Sequence, residues 1–94
     1  MSHLAKNYNR KKISFKYGKG SYLYSHNNKK YLDFVQGIAV NSLGHAHPKL
    51  VKSIRNQSKK LWHVSNAFKI PEGEKLAQRL VKRTFADSVI FQNS

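Results

Sequence analysis

One short run constrains the fold of this chain more than any other: Val89-Ile-Phe91. It is rich in β-forming residues and reads as apolar on both faces, the pattern of a buried parallel strand. Parallel strands need hydrogen-bonded neighbours and helices over both faces of their sheet. No other segment of the 94 residues supplies such a neighbour. What precedes the run is a hairpin, a loop, a helix, a second loop and a second helix. That order is expected of the opening of an α/β domain whose sheet lies beyond residue 94.

The preceding elements follow from local chemistry. Met1 to Lys12 reads as a polar, basic, flexible arm, and Ser14-Phe-Lys-Tyr17 as a short alternating run that stops at Gly18-Lys-Gly20. Ser21-Tyr-Leu-Tyr-Ser25 and Lys30-Tyr-Leu-Asp-Phe34 flank His26-Asn-Asn-Lys29, which predicts a β-hairpin with Asn28 in the left-handed region. Tyr22 and Tyr24 share one face of the first strand, and Leu23 lies on the other. Gly37 to His47 has no regular period and reads as a loop. Pro48 opens a helix, because the missing N–H of proline costs nothing in the first turn. Leu50, Ile54, Gln57 and Leu61 fall at i, i+4, i+7 and i+11 with Val51 beside them, which predicts an amphipathic helix running to about Lys60. Pro71, Glu72 and Glu74 start a second helix, with acids near the positive end of its dipole. Its stripe is Leu76, Ala77, Leu80 and Val81. The expected organisation is an arm over 1–13, the hairpin and first loop over 14–47, and the start of a larger domain over 48–94.

Composition excludes several classes. There is no cysteine, hence no disulfide and no thiolate metal site. No apolar run approaches a membrane span, and the arm lacks the apolar core of a secretory signal. A cytoplasmic location is the default expectation. The formal charge of +14, from eighteen Lys and Arg against four acids, admits nucleic acid as a partner. The basic residues are scattered from Lys6 to Arg83, however, and Arg10-Lys-Lys12 is their one dense cluster. Nucleic-acid binding is therefore the rival to the main reading rather than the reading itself. It rests on Tyr17, Tyr22, Tyr24 and Tyr31 among lysines as a stacking face. His45 and His47 invite a metal, but no second cluster of ligands accompanies them, and a structural loop is the better reading.

Four segments carry a resemblance that covers most of the chain, from about Phe15 to Ser94. They are Gly18-Lys-Gly-Ser-Tyr-Leu-Tyr24 with Lys30-Tyr-Leu-Asp-Phe34; Gly37-Ile-Ala-Val-Asn-Ser-Leu-Gly-His-Ala-His-Pro48; Leu61-Trp-His-Val-Ser-Asn-Ala-Phe-Lys-Ile-Pro71; and Thr84-Phe-Ala-Asp-Ser-Val-Ile-Phe-Gln-Asn-Ser94. In order and at matching spacing they resemble the class III, pyridoxal-phosphate-dependent aminotransferases. The hairpin turn, Ser25-His-Asn-Asn28, departs from the family's usual Asp and Gly, and Asn is a tolerable replacement there.

The resemblance implies a fold-type-I α/β transferase, of which this chain is the N-terminal portion: a β-hairpin, two helices and the first strand of the large-domain sheet. It implies a homodimer that uses pyridoxal 5'-phosphate to move an amino group between a small-molecule donor and 2-oxoglutarate. Trp62-His63 and Ile70-Pro71 favour N2-acetyl-L-ornithine as the donor, in arginine biosynthesis. Ornithine, 4-aminobutyrate and succinylornithine are the alternatives. Ile38, Ala39, Val40 and Phe68 are expected to line the substrate entrance; the plain alternatives are a loop satisfying itself for the first three and a core aromatic for Phe68. Ser94 is expected at the edge of the loop that holds the cofactor phosphate. The Schiff-base lysine, the acid on the pyridine nitrogen and the arginine for the substrate carboxylate all lie further on in the family's order. No catalytic residue and no metal ligand is therefore assigned here, and the cofactor is not expected to bind these residues stably. The 94-residue chain by itself is expected to give neither cofactor absorbance nor turnover in a transamination assay; measurable turnover would overturn that expectation.

Overall fold

A computed structural model of the protein describes residues 2–93. By its internal contacts the chain divides into two units, Met1–Lys59 and Lys60–Ser94. Ser94, the expected edge of the phosphate loop, lies outside the described residues.

The first unit is built on a three-stranded antiparallel meander of β1 (Phe15–Lys19), β2 (Tyr22–Ser25) and β3 (Lys30–Leu32). The hairpin expected from the sequence is β2–β3. β1 is a third strand, which runs through Gly18 to Lys19 rather than stopping before the glycine. The reason is pairing: Tyr17, Gly18 and Lys19 lie opposite Tyr24, Leu23 and Tyr22, so a ladder overrides the weak strand preference of glycine. The register shifts between Phe15 and Tyr17, where Lys16 is the extra residue of a bulge.

The β2–β3 turn is closed by Ser25, the one buried polar residue among those described. Its N–H donates to the Lys29 carbonyl, its carbonyl accepts from Asn28 N–H, and its hydroxyl oxygen accepts from Lys29 N–H. Asn28 takes φ 62°, the left-handed turn position that the sequence predicts for it. Register then sorts the side chains. Tyr17, Lys19, Tyr22, Tyr24, Lys30 and Leu32 share one face of the sheet, while Leu23 and Tyr31 are on the other. Tyr17 stacks on Tyr24 across the strands, with centroids 4.5 Å apart, and Phe15 meets Tyr31 edge to face at 5.7 Å.

β3 leads into α1 (Gln36–Ala39), which is not a right-handed helix. Its residues have φ 54°, 63°, 63° and 59°, a single left-handed turn. The loop expected over Gly37 to His47 thus contains a defined turn. α2 (Pro48–Ser58) follows, with Pro48 in its first turn as expected and its end two residues short of Lys60. Lys59, as C-cap, returns its N–H to the Gln57 carbonyl.

In the second unit, α3 (Pro71–Arg83) has Glu72 and Glu74 in its first turn and Lys82 and Arg83 in its last, matching the dipole at both ends. Thr84 closes it: its hydroxyl donates to the Leu80 carbonyl at 2.8 Å and accepts from Ala86 N–H. Residues 89–91, expected as a strand, form none. A strand exists only through ladder hydrogen bonds to a neighbour, and none of the described residues pairs with this run.

The amphipathic faces are in place, but nothing among the described residues covers them. No hydrophobic residue there is buried, and the accessible surface is 9589 Å². A compact chain of this size would expose about 5,500 Å², and two separate compact pieces about 6,600 Å². The apolar stripes of α2 and α3 are among what stays exposed, Leu50, Val51 and Ile54 on one and Leu76 and Leu80 on the other.

Gly44 tests how tightly the loop is seated. At φ 83° it lies where only glycine is comfortable, and a Cβ there would stand 2.9 Å from the Gly20 carbonyl oxygen. Gly44→Ala is expected to cost about 1–3 kcal/mol locally. Amide hydrogen exchange at Gly20 and His45 should therefore quicken tenfold or more, and unchanged exchange would show that the loop is not held here.

Candidate functional site

β3 ends at Leu32, and the next residue organises everything up to α2. Asp33 Oδ1 accepts hydrogen bonds from the N–H groups of Val35 and Gln36, both at 3.0 Å. Asp33 Oδ2 meets His45 Nε2 at 2.6 Å. The side chains of Asp33 and His45 are 6% and 18% exposed, so the pair is shielded from competing water. The Gln36 N–H and the His45 ring, in that order, hold the Asp33 carboxyl below the usual carboxylate range.

His45 is fixed from its backbone as well. It exchanges two hydrogen bonds with Gly20, at 2.8 and 3.0 Å, which welds the loop to the β1–β2 turn. Gly18 and Gly44 make that approach possible. A Cβ on Gly18 would fall 2.5 Å from the His45 ring. His47, two residues on, acts elsewhere, since its Nδ1 accepts from Lys49 N–H and caps α2. The two histidines that suggested a metal are therefore occupied, one with a carboxylate and one with a helix end. No group of three metal-ligating side chains gathers among the described residues.

The brace presents α1. The turn is closed by Ala39 N–H to the Val35 carbonyl at 3.0 Å, and by Val40 and Asn41 N–H to the Gln36 carbonyl at 2.9 Å. Left-handed conformation costs about 1–2 kcal/mol for each non-glycine residue, and Gln36, Ile38 and Ala39 all adopt it. A β-branched isoleucine at positive φ is an outlier by any standard. Such strain persists only where the surroundings over-determine it, and it gathers at functional sites. Its effect here is to push Ile38 and Val40 outward, 87% and 75% exposed, with Ala39 exposed between them. Three of the four expected entrance residues thus stand together on one strained turn. Beside it lie two cavities. One of about 200 Å³ is polar and bounded by Ser21, Asp33, Gln36 and Asn41. The other, of about 580 Å³, is apolar and bounded by Phe15, Leu23, Tyr31, Phe34 and Val35.

Phe68, the fourth, belongs to the second unit. It is exposed on a turn in which Ser65, at φ 70°, accepts Phe68 N–H on its carbonyl and Ala67 N–H on its hydroxyl. Sequence reasoning missed the Asp33–His45 pair. A signal was present: Asp33 is the sole acid of the first unit.

The profile of the family described as Aminotransferase class-III matches residues 3–94. An acetylornithine aminotransferase of Brucella melitensis is 53% identical over 87 residues, 93% of this chain and 22% of that protein. One from Agrobacterium fabrum is 54% identical over 82 residues, 87% of this chain and 21% of its own length. Among solved structures, an acetylornithine aminotransferase from Elizabethkingia anophelis superposes with a TM-score of 0.85 at 29% identity, over 92% of this chain and 22% of that one. The chain spans about a fifth of the length of these relatives.

The pair makes a pH prediction. A carboxyl whose folded pKa is depressed stabilises the fold at pH values above its unfolded value of about 3.9. That contribution is lost as pH falls through the lowered value. The Asp33 carboxyl resonance should therefore move only below about pH 4, whereas Asp33→Asn should loosen the loop across the whole range. A His45 environment indifferent to Asp33→Asn would remove the pair from this role.

Proposed function

This chain belongs to the class III aminotransferases, and from that premise we propose that it forms the N-terminal part of an enzyme transferring an amino group between N2-acetyl-L-ornithine and 2-oxoglutarate, in arginine biosynthesis. Class III aminotransferases depend on pyridoxal 5'-phosphate, which supplies the electron sink for amino transfer when bound. The described residues are not suited to hold it. The polar cavity beside Asp33 has that carboxylate on its wall and no lysine or arginine, and its one histidine, His45, is already engaged by Asp33, so it offers a phosphate no free cation. The role proposed for these residues is to shape the approach to the site.

The observation that carries this reading is the strained turn. A left-handed α1 leaves its apolar side chains exposed, at a conformational cost that the surrounding hydrogen bonds offset. In the proposal, Ile38, Ala39 and Val40 form one wall of the substrate entrance, with Phe68 as a further lining residue. Their apolar surface selects the aliphatic stem of an acylated diamine and excludes water from it. Asp33 and His45 brace the turn that carries the wall and tie it to Gly20. Ser94 stands at the edge of the phosphate loop. The division 1–13 as arm, 14–47 as hairpin and entrance loop, and 48–94 as the start of the large domain belongs to the same proposal, as do a homodimer and a cytoplasmic location. None of the described helices is long and apolar enough to cross a membrane.

The test is a chimera: the corresponding segment of the Brucella melitensis enzyme is replaced by residues 3–94. It should use N2-acetyl-L-ornithine in preference to ornithine, 4-aminobutyrate and succinylornithine, and reversal of that order assigns the chain to a sister activity. In the chimera, Ile38→Ala should raise KM for the donor about tenfold with kcat little changed, since it removes apolar contact from a binding wall. An unchanged KM would take Ile38 out of the entrance.

A further inference from the structure

The aminotransferase reading leaves one face of the sheet unused, and its chemistry is distinct. Register places Tyr17, Lys19, Tyr22, Tyr24 and Lys30 on it together, with Leu32 beside Tyr22. Tyr17 and Tyr24 lie flat on one another, 10° from parallel, and the Tyr17 ring remains 52% exposed. Lys30 Nζ sits 4.0 Å above the Tyr22 ring, and Lys16 Nζ is 6.0 Å from that of Tyr17. No acid is on this face. Within the first unit α2 does not pack against the sheet.

Charge is also sorted between the two units. Twelve of the eighteen Lys and Arg, but one of the four acids, lie in Met1–Lys59. That acid is Asp33, already paired with His45. The first unit therefore has a formal net charge of +11, twelve bases less one acid, and no free carboxylate to oppose a polyanion.

The two faces have opposite needs. Antiparallel sheets commonly pack one face and leave the other in water. Phe15, Leu23 and Tyr31 mark the face made for packing. Burying the unpaired ammonium groups of the other face would be costly, so it is the one that stays wet. Exposed rings interleaved with cations suit a ligand that is itself planar rings on an anionic chain. We propose that this face binds single-stranded nucleic acid, with bases stacking on Tyr17 and Tyr22 and phosphates meeting Lys16, Lys19 and Lys30. Tyr24 backs Tyr17 and fixes its plane. The proposal is independent of the aminotransferase activity.

The test is fluorescence anisotropy of labelled oligo(dT) and oligo(U) with the 94-residue chain through a salt series. Both strands should bind at physiological salt, and a preference between them identifies DNA or RNA as the source. Log affinity should fall linearly with log salt, and replacing Lys16, Lys19 and Lys30 together by Ala should flatten that slope by about 2. Tyr17→Ala with Tyr22→Ala should weaken binding roughly tenfold or more at unchanged slope, while Tyr17→Phe with Tyr22→Phe should retain it. Replacing Lys49, Lys52 and Arg55 of α2 by Ala removes the same charge away from the face and should cost much less. The proposal is overturned by no binding at physiological salt, by an equal loss from the α2 substitutions, by loss of binding in the Phe variant, or by equal affinity for duplex DNA, heparin or anionic vesicles.

Discussion

Asp33 accepts hydrogen bonds from three points of the chain: the N–H groups of Val35 and Gln36 beside it and the ring of His45 twelve residues away. The whole segment between β3 and α2 is hung on that carboxylate. Two adjacent N–H groups start the turn, and the distant histidine closes it. The pair of hydrogen bonds between the His45 and Gly20 backbones, one in each direction, then fastens the closed loop to the β1–β2 turn. Charge-assisted bonds at a shielded position are stronger than neutral ones. This is what lets three non-glycine residues stay in the left-handed region without the segment relaxing. The glycines are the counterpart of the brace: Gly18 and Gly44 are where the backbone and the His45 ring come too close for any Cβ.

The rest of the molecule is a set of prepared surfaces. α2 and α3 have apolar stripes, and the sheet has an aromatic face. Yet no described hydrophobic residue is buried, and exposed area exceeds that of a compact protein by several thousand Å². In a class III aminotransferase such surfaces have something to meet, because this chain spans about a fifth of the relatives' length. Local order here therefore comes from hydrogen-bonded turns, caps and cross-strand aromatic pairs rather than from a core. The stacked Tyr17–Tyr24 pair and the Ser25 turn serve the sheet as Asp33 serves the loop. The Tyr–Lys face differs from the other surfaces in being charged, and charge is what separates a face to be packed from a face to be wetted.

Much of this was legible from the residues alone. The β2–β3 hairpin, the left-handed Asn28 and the helix starts at Pro48 and Pro71 follow from neighbours within a few positions, where φ restriction, missing donors and side-chain alternation act directly. The four motif segments gave the family for the same reason: they are local strings. Ile38 to Val40 were legible as a candidate wall, although not the turn that presents them. β1 was underestimated, because its middle is glycine and its strand state comes from pairing with β2. Val89 to Phe91 forms no strand among the described residues, in keeping with a run whose neighbours were expected beyond residue 94.

The sequence by itself determined the local elements, the family and the excess of positive charge, each a property of short segments or of composition. Only the tertiary structure decided that His45 serves a carboxylate while His47 caps a helix, that Gln36 to Ala39 wind left-handed, and that tyrosines and lysines from all three strands share one face. The His47 cap is local, its partner Lys49 being two residues on, but the others depend on partners many residues distant, brought close by strand register and by the near-contact of two glycines. No local period encodes such a meeting, because it exists only once the chain has closed.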